Sequence, residues 1–584
     1  MTIEKKKALD KNFIGFVATT LGIFLLGFVM SLCGVNALTG TAGFLGLITF
    51  VLAFMPILIV LIGMLGFDLP AMKVSPFAFL LAVLLSVTYF MNAGISYGEQ
   101  AGLIWAQTYS GIKSGVLIVG LIFFSFLILD MMQTSGAMEI VKGALANISN
   151  DRRVQLIIIG LFVPIFMEGA AGAGTPAAIA APFLIGLGFD PIVAVVVALM
   201  SDGVCTSYGG SGLTTMSGGA DLVSAGVSTT ELNFAAAGWF HMFGILIMPL
   251  VIIAFAYGIK GLKSKGIVGY ALYSGVCGAL LMFLFSNYIG GFITDLAVGL
   301  LGIIAAILGT KFFKIETPEE LSFTVPAQEG KPKYSIVQAL SPYIFILVIF
   351  PVVLTGSKYI NVTNEAGAVV TLWAYISGKL TYNGWIDCLL FLVSILSVFS
   401  LRYGFGNYIN AVVRSFKKVI PVFIIMACLY SVANIMKVPY DNATGMSMIK
   451  VLAYDISDAA GVFYPAASVL IGAIGAFITG TNLGSNQLFA TMHMAAAENL
   501  GINQIMTFAA NNGGGSLGNM ICPNNVSAAC ATVNLIGEEN KVMKRVVVMF
   551  LIFCLLYMLL AMLYVYVVFP NVDVNTIRLL TSMG

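Results

Sequence analysis

FMEGAAGAGTPAAIAAP, Phe166 to Pro182, sets one glutamate and a run of glycines and alanines into otherwise apolar sequence. A plain bilayer span has no use for such a stretch, because irregular backbone inside a membrane is tolerated only where protein or a watery cavity covers it. It is followed by Leu187-Gly188-Phe189-Asp190-Pro191-Ile192 and by the polar, glycine-rich SDGVCTSYGGSG, Ser201 to Gly212. The same order of parts returns later: FITGTNLGSNQLF from Phe477, then Leu500-Gly501-Ile502-Asn503-Gln504-Ile505, then NNGGGSLGN, Asn511 to Asn519. An internal repeat of broken segments organises the chain.

The surrounding sequence supplies the membrane. Of 584 residues 59% are hydrophobic and 9% charged, with mean hydropathy +1.00, against about 25% charged in soluble domains. A spanning helix needs roughly 20 apolar residues. Such windows run over 13–32, 43–66, 76–95, 114–133, 155–168, 236–258, 267–287, 292–310, 338–355, 384–400, 419–435, 463–479 and 546–569. The stretches 169–219 and 480–535 fit half-helices or re-entrant hairpins. The expected fold is an all-α, polytopic membrane protein of about 12–14 transmembrane helices with two inverted repeats built on broken helices. The first half, 1–310, carries motif 166–212; a cytoplasmic linker, 311–337, leads to the second half, 338–584, with motif 477–525.

Several function classes fall away. The linker is too short to form a domain, and no Gly-x4-Gly-Lys-Ser/Thr loop occurs. A net charge of +2 gives no field for nucleic acid. The eight cysteines are scattered without a Cys-x-x-Cys, and two histidines cannot complete a metal site, so no cofactor or resident metal is expected.

Basic residues mark the cytoplasmic side. With Lys5, Lys6, Lys7 and Lys11 inside, the turns at Lys73, Lys142–Arg153, Lys260–Lys265, Lys311–Lys333, Arg402–Lys418 and Lys541–Arg545 also face the cytoplasm. Only Lys113, Lys358, Lys379, Lys437, Lys450 and Arg578 are left outside, together with the C-terminus. The first window is expected to be a retained helix. The first motif is then entered from the cytoplasm and the second from outside, which inverts the repeats.

Two facing broken helices aim unpaired N–H groups and positive dipole ends at a point near the midplane, a setting for a small anion. Gly169, Gly172 and Gly174, with Gly480 and Gly484, let the backbone approach a ligand. Hydroxyls and amides of Thr175, Thr206, Ser207, Ser211, Thr481, Asn482, Ser485, Asn486, Asn511, Asn512, Ser516 and Asn519 are available to complete a cage. The competing explanation of the small residues is close helix packing. Glu168 and Asp202 stand out as ionisable groups, costing roughly 2.5–3.5 kcal/mol each to insert, and a carboxyl taken out of water holds its proton more tightly. They are the candidate proton- or cation-coupling residues. A structural hydrogen bond or ion pair is the alternative for each. His241 reads as a satisfied interfacial histidine, His493 as either structural or functional, and Asp130 and Asp387 as interfacial near helix ends.

FMEGAAGAGTPAAIAAPFLIGLGFDP, GSNQLF, AANNGGGSLGNMICPNN and NLIGEE together resemble the bacterial lactate permease family. The likeness is close over about 150–215 and 475–545 and otherwise one of hydropathy and order. It implies import of L-lactate, D-lactate or glycolate with protons across the bacterial cytoplasmic membrane. Matching residue by residue carries over Glu168, Gly169, Gly172, Gly174, Ser485, Asn486, Asn511, Gly518 and Pro523. Relatives on inverted repeats also imply a homodimer that moves one domain against a scaffold. Two positions depart: Asn519 where relatives usually have lysine, and Asp202 where an amide is commoner. The charge balance shifts by two units, which weakens the case for lactate specifically and opens sodium coupling, since Asp202 and nearby oxygens suit a hard cation.

The expected activity is therefore secondary active transport of a small 2-hydroxymonocarboxylate by cation symport, with protons ahead of sodium. A passive anion channel is the nearer rival. A different class, an intramembrane serine protease, would pair Ser211 of Gly209-Gly210-Ser211-Gly212 with His241 or His493.

Overall fold

The computed structural model describes residues 3–570 except 34, 39–42, 68, 70, 93, 147, 173–174, 323–332, 357–359, 365–368, 373–374, 376–381, 534 and 536–537. Among these the chain is helical throughout, apart from one small antiparallel pair, Asn361–Thr363 with Val369–Thr371. Eight helices are long and apolar enough to cross a membrane, or nine if the bent pair Pro191–Asp202 and Thr206–Gly218 forms one span. Four shorter apolar helices, Leu45–Val60, Met72–Val87, Ile336–Ile349 and Asp387–Ser400, fall on further windows read from the sequence. The chain is a multi-pass, all-helical membrane protein.

Burial separates lipid-facing from site-forming helices. The apolar window of Asn12–Leu32 is 17% buried, so most of it faces lipid. That of Arg152–Ala170 is 100% buried, which places the arm leading to Glu168 in the protein core. This arm contains a π-helical stretch, Ile158–Phe162. Helix Thr294–Phe312 lies against it through glycines: a Cβ on Gly299 would stand 2.5 Å from Phe166 Cα, and one on Gly169 would stand 2.6 Å from the Leu296 amide nitrogen. Small residues here serve close backbone approach.

The internal repeat appears as matching geometry. In the first repeat a helix ends at Gly188, φ +80°, and Asp190 caps the next helix by accepting from the Ile192 and Val193 amides, both at 3.0 Å. In the second, Gly501, φ +64°, ends a helix and Asn503 accepts from the Ile505 and Met506 amides, both at 3.0 Å. Even the closing backbone bonds correspond: Phe189 N–H to Leu184 O at 3.2 Å, and Ile502 N–H to Ala497 O at 2.9 Å. Glycine supplies the left-handed residue and a short side-chain oxygen the cap, which is why the sequence kept both.

Among the described residues two large buried apolar clusters form, with a small third one of Leu222, Ala490 and Phe508. One joins Phe16–Ile104 to residues between Leu429 and Ala496, and the larger runs from Leu127 to Phe569. Asp130 lies near the end of helix Tyr97–Ser135 and pairs with Arg414 Nη2 at 2.6 Å, while Asp387 sits near the start of Tyr382–Ser400. Residues 571–584, with Arg578 and the expected external C-terminus, lie outside the described residues.

Candidate functional site

Both repeats break their first arm at a glycine. Val163–Ala171 ends at Gly172, whose φ of +61° and ψ of −164° is backbone that only glycine adopts freely, and a Cβ there would stand 3.0 Å from the Gly210 nitrogen. Tyr464–Thr479 ends at Gly480, φ +84°, and Thr481 then caps helix Asn482–Leu500, its Oγ1 accepting from the Gly484 amide at 3.0 Å. The N-terminus of that second helix is thereby left at the break.

The two breaks share one cavity of about 270 Å³. From the first repeat come Glu168, Gly172, Thr206, Gly209 and Thr214; from the second, Thr479, Thr481, Asn482, Asn519 and Asn525; Ile425 and Met426 of a third helix complete the wall. The volume lies below the about 300–1,000 Å³ of clefts that take drug-sized ligands, so the space suits a compact molecule.

Glu168 is 1% exposed, and its Oε2 has no hydrogen-bond partner. Its carboxyl meets that of Asp202, which also accepts from Asn519 Nδ2 at 3.2 Å. Two ionised carboxyls held side by side out of water repel each other, so a proton on one of them relieves the pair. Asn519 and Asp202, the two positions where the sequence departs from the resemblance, therefore touch each other. Among the described residues, no ion pair involves Glu168 or Asp202.

Behind the cavity runs a buried polar chain joining the repeats. Asn512 Oδ1 accepts from Ser207 Oγ at 2.9 Å, Asn482 Nδ2 at 3.0 Å and Asn486 Nδ2 at 2.8 Å. Asn511 Nδ2 donates to Asn486 Oδ1 at 2.9 Å, and Asn512 Nδ2 to Thr215 Oγ1 at 2.6 Å. A histidine stands at each end: His493 Nε2 on Asn511 Oδ1 at 2.9 Å with Nδ1 on the Tyr464 hydroxyl, and His241 Nε2 on Ser207 Oγ at 2.6 Å with Nδ1 on the Tyr557 hydroxyl. Both histidines are fully buried, so His241 is a core group rather than the expected interfacial one.

This chain removes the arrangement that a serine nucleophile would need. His241 Nε2 lies 2.6 Å from Ser207 Oγ and His493 Nε2 2.9 Å from Asn511 Oδ1, so neither histidine is paired with Ser211. Ser211 instead occupies a left-handed turn, φ +57°, between Gly210 and Gly212.

Of the residues singled out from sequence, Glu168, Gly172, Thr206, Gly480, Thr481, Asn482 and Asn519 line the cavity. Ser207, Asn486, Asn511 and Asn512 lie behind it because their polar atoms bind one another. Ser485 Oγ donates to Gly472 O at 2.7 Å, and Ser516 Oγ to Gly203 O at 2.9 Å. Gly169, Gly484 and Gly518 pack against Asp295 and Leu296, Thr479, and Ala473 respectively, as the packing explanation had it. Pro523 starts helix Pro523–Thr532 after the break at Cys522. Gly174 and the Thr175 side chain lie outside the described residues. Sequence reasoning missed Thr214, Thr479 and Asn525; the last is in the quoted ICPNN string, and its Nδ2 donates to Asn519 O at 3.2 Å. It also missed Asp295, an acid inside an apolar window.

Comparison with known sequences decides the family: the profile of L-lactate permease matches residues 49–382 and 379–568. The chain belongs to the L-lactate permease family. It is 25% identical over 576 residues to the glycolate permease GlcA of Escherichia coli K12, covering 90% of this chain and 97% of that one. With the L-lactate permease of Bacillus subtilis it shares 27% over 470 residues, 74% of this chain and 82% of the other. Among solved structures, the Alcanivorax borkumensis YdaH transporter aligns at TM-score 0.46 and 13% identity, over 85% of this chain and 98% of that one. The two sequence relatives are permeases, and this member of the family is a membrane transporter.

Proposed function

We propose that the chain imports a small 2-hydroxymonocarboxylate, lactate or glycolate, across the bacterial cytoplasmic membrane in symport with protons. The observation that carries this reading is the compact cavity between two broken helices, with a buried glutamate in its wall that pairs with no cation among the described residues. The substrate class follows from the relatives named for L-lactate and glycolate. Asn482 Oδ1 and Asn519 Oδ1, buried without a hydrogen-bond partner, accept from the substrate hydroxyl, and the amides at the start of Asn482–Leu500 face its carboxylate. Glu168, coupled to Asp202, carries the proton: an anion beside an ionised glutamate would be repelled, so substrate and proton enter together.

Contacts between turns support inverted repeats with the N-terminus inside. Fully buried Arg153 donates to Gly261 O and Glu316 O, both at 2.9 Å, joining three turns that the charge count puts in the cytoplasm. Arg152 Nη1 donates to Gly188 O at 3.0 Å, which sets the turn of the first repeat on that face. The matching turn of the second repeat is tied by Asn503 Nδ2 to Phe569 O at 3.0 Å, at the end of the last helix, on the face assigned to the outside.

If each monoanion enters with one proton, no net charge moves and each pH unit supports about tenfold accumulation, about 1.4 kcal/mol; a second proton would add the membrane potential as a driving force. Reconstituted protein should accumulate labelled lactate or glycolate above equilibrium when the outside is made acidic. Sodium driving uptake at equal pH would move the coupling to sodium; flux that only equilibrates would make the protein a channel.

A further inference from the structure

Asp295 is the second residue of helix Thr294–Phe312 and 1% exposed, and neither of its carboxyl oxygens has a hydrogen-bond partner. It packs against the backbone next to Glu168, because Gly169 has no side chain: a Cβ on Gly169 would lie 2.8 Å from Asp295 Cβ. The titratable groups whose charge acts on it, or on which its own charge acts, are the carboxyls of Glu168 and Asp202, the Cys205 thiol and the Tyr208 hydroxyl. Two of these are engaged elsewhere, since Tyr208 donates to Phe234 O at 2.6 Å and Cys205 to Asp202 O at 3.2 Å. The remaining helices against Thr294–Phe312 bring Arg153, Tyr270, Tyr273 and Tyr343. Arg153 is taken by Asp151 at 2.6 Å, and Tyr270 and Tyr273 pack on Phe313 at the far end. Among the described residues, no cation pairs with any of the three acids.

We infer that Asp295 is a third coupling carboxyl, holding a proton of its own while Glu168 and Asp202 share another. A lone carboxylate in a dry interior costs far more than the neutral acid, so a proton on Asp295 removes one buried charge, and a proton shared by Glu168 and Asp202 leaves that pair with one charge in place of two. Asp295 does not line the cavity, so it handles a proton without touching the substrate. Gly169 then has a function beyond packing, as it brings the inner acid within reach of the outer pair. Two protons with one monoanion move one positive charge inward, so a membrane potential, negative inside, drives uptake; with one proton it would not.

The inference rests on proton symport as proposed above, and the experiment separates the two. Purified protein in proteoliposomes is assayed for lactate counterflow and for lactate uptake under an imposed potassium diffusion potential at equal pH. Infrared spectra are taken for the protonated-carboxyl stretch. The wild type should respond to the potential. Asp295→Asn should keep counterflow, lose the potential response and lose one protonated-carboxyl band. Wild-type uptake that ignores the potential, or Asp295→Asn that leaves potential response and band unchanged, would overturn the inference. So would an Asp295→Asn protein that loses counterflow and melts at lower temperature while Asp295→Glu restores neither, since that marks a structural residue. Absence of wild-type counterflow with lactate and glycolate alike would refute the transport reading, and the infrared band would still decide whether Asp295 holds a proton.

Discussion

The two repeats share a skeleton and differ in chemistry. Gly188 with Asp190 and Gly501 with Asn503 build the same turn, down to the same pair of capped amides. At the breaks the likeness ends. The first repeat contributes the acids Glu168 and Asp202 and a left-handed glycine-serine turn; the second contributes the amides Asn482, Asn511, Asn512 and Asn519. In the proposed reading one half holds the proton and the other the carboxylate, and the cavity is where they meet. Duplication of a fold leaves the scaffold under the same backbone constraints in each copy but frees the break residues to specialise.

Removing the acid should separate the halves most sharply. Glu168→Gln keeps shape and polarity but cannot release a proton, so gradient-driven uptake should fall to background while lactate counterflow persists. Equal loss of both would place Glu168 with the amides in substrate binding. Next in size is the hub of the amide half. Asn512→Ala would strand donors on Ser207, Asn482 and Asn486, each costing about 1–3 kcal/mol, and a large fall in melting temperature should follow. A melting point within a degree or two of wild type would mean the chain of amides is not holding the repeats together.

The breaks themselves should respond unequally. Gly172→Ala faces a backbone region closed to side chains, about 1–3 kcal/mol, and a crowded Gly210 amide; Gly480→Ala, in the ordinary left-handed region, should cost about 1–2 kcal/mol. Thermal unfolding of the pair checks the order. The smallest contrast is in the shared turn. Asp190→Ala loses a cap, about 0.5–2 kcal/mol, and Asn503→Ala should lose slightly more because Asn503 also donates to Phe569 O. Equal losses would show that this extra bond contributes nothing.

Much of this was legible in the sequence where backbone chemistry is local. The Leu-Gly-x-Asp/Asn strings specify their turns within six residues, and the glycines of the two breaks mark where helices cannot continue. The site was less legible, because lining a cavity is decided by which polar atoms are already taken. Ser485 and Asn511 look as available as Asn482 in the chain, but one is bound to Gly472 and the other lies between His493 and Asn486. Asp295 was hidden for another reason. A window test for spans tolerates one charge, and only the close approach at Gly169, made by residues far apart in sequence, reveals that this acid faces Glu168.

Calorimetric titration of lactate or glycolate into the purified protein, repeated in buffers of different ionisation enthalpy, reads substrate and proton binding together. The account predicts net proton uptake on binding, lost in Glu168→Gln, and weakened substrate affinity in Asn482→Ala without loss of the proton. Binding that takes up no proton in the wild type, or that is untouched by both substitutions, would contradict a cavity in which one repeat holds the proton and the other the acid.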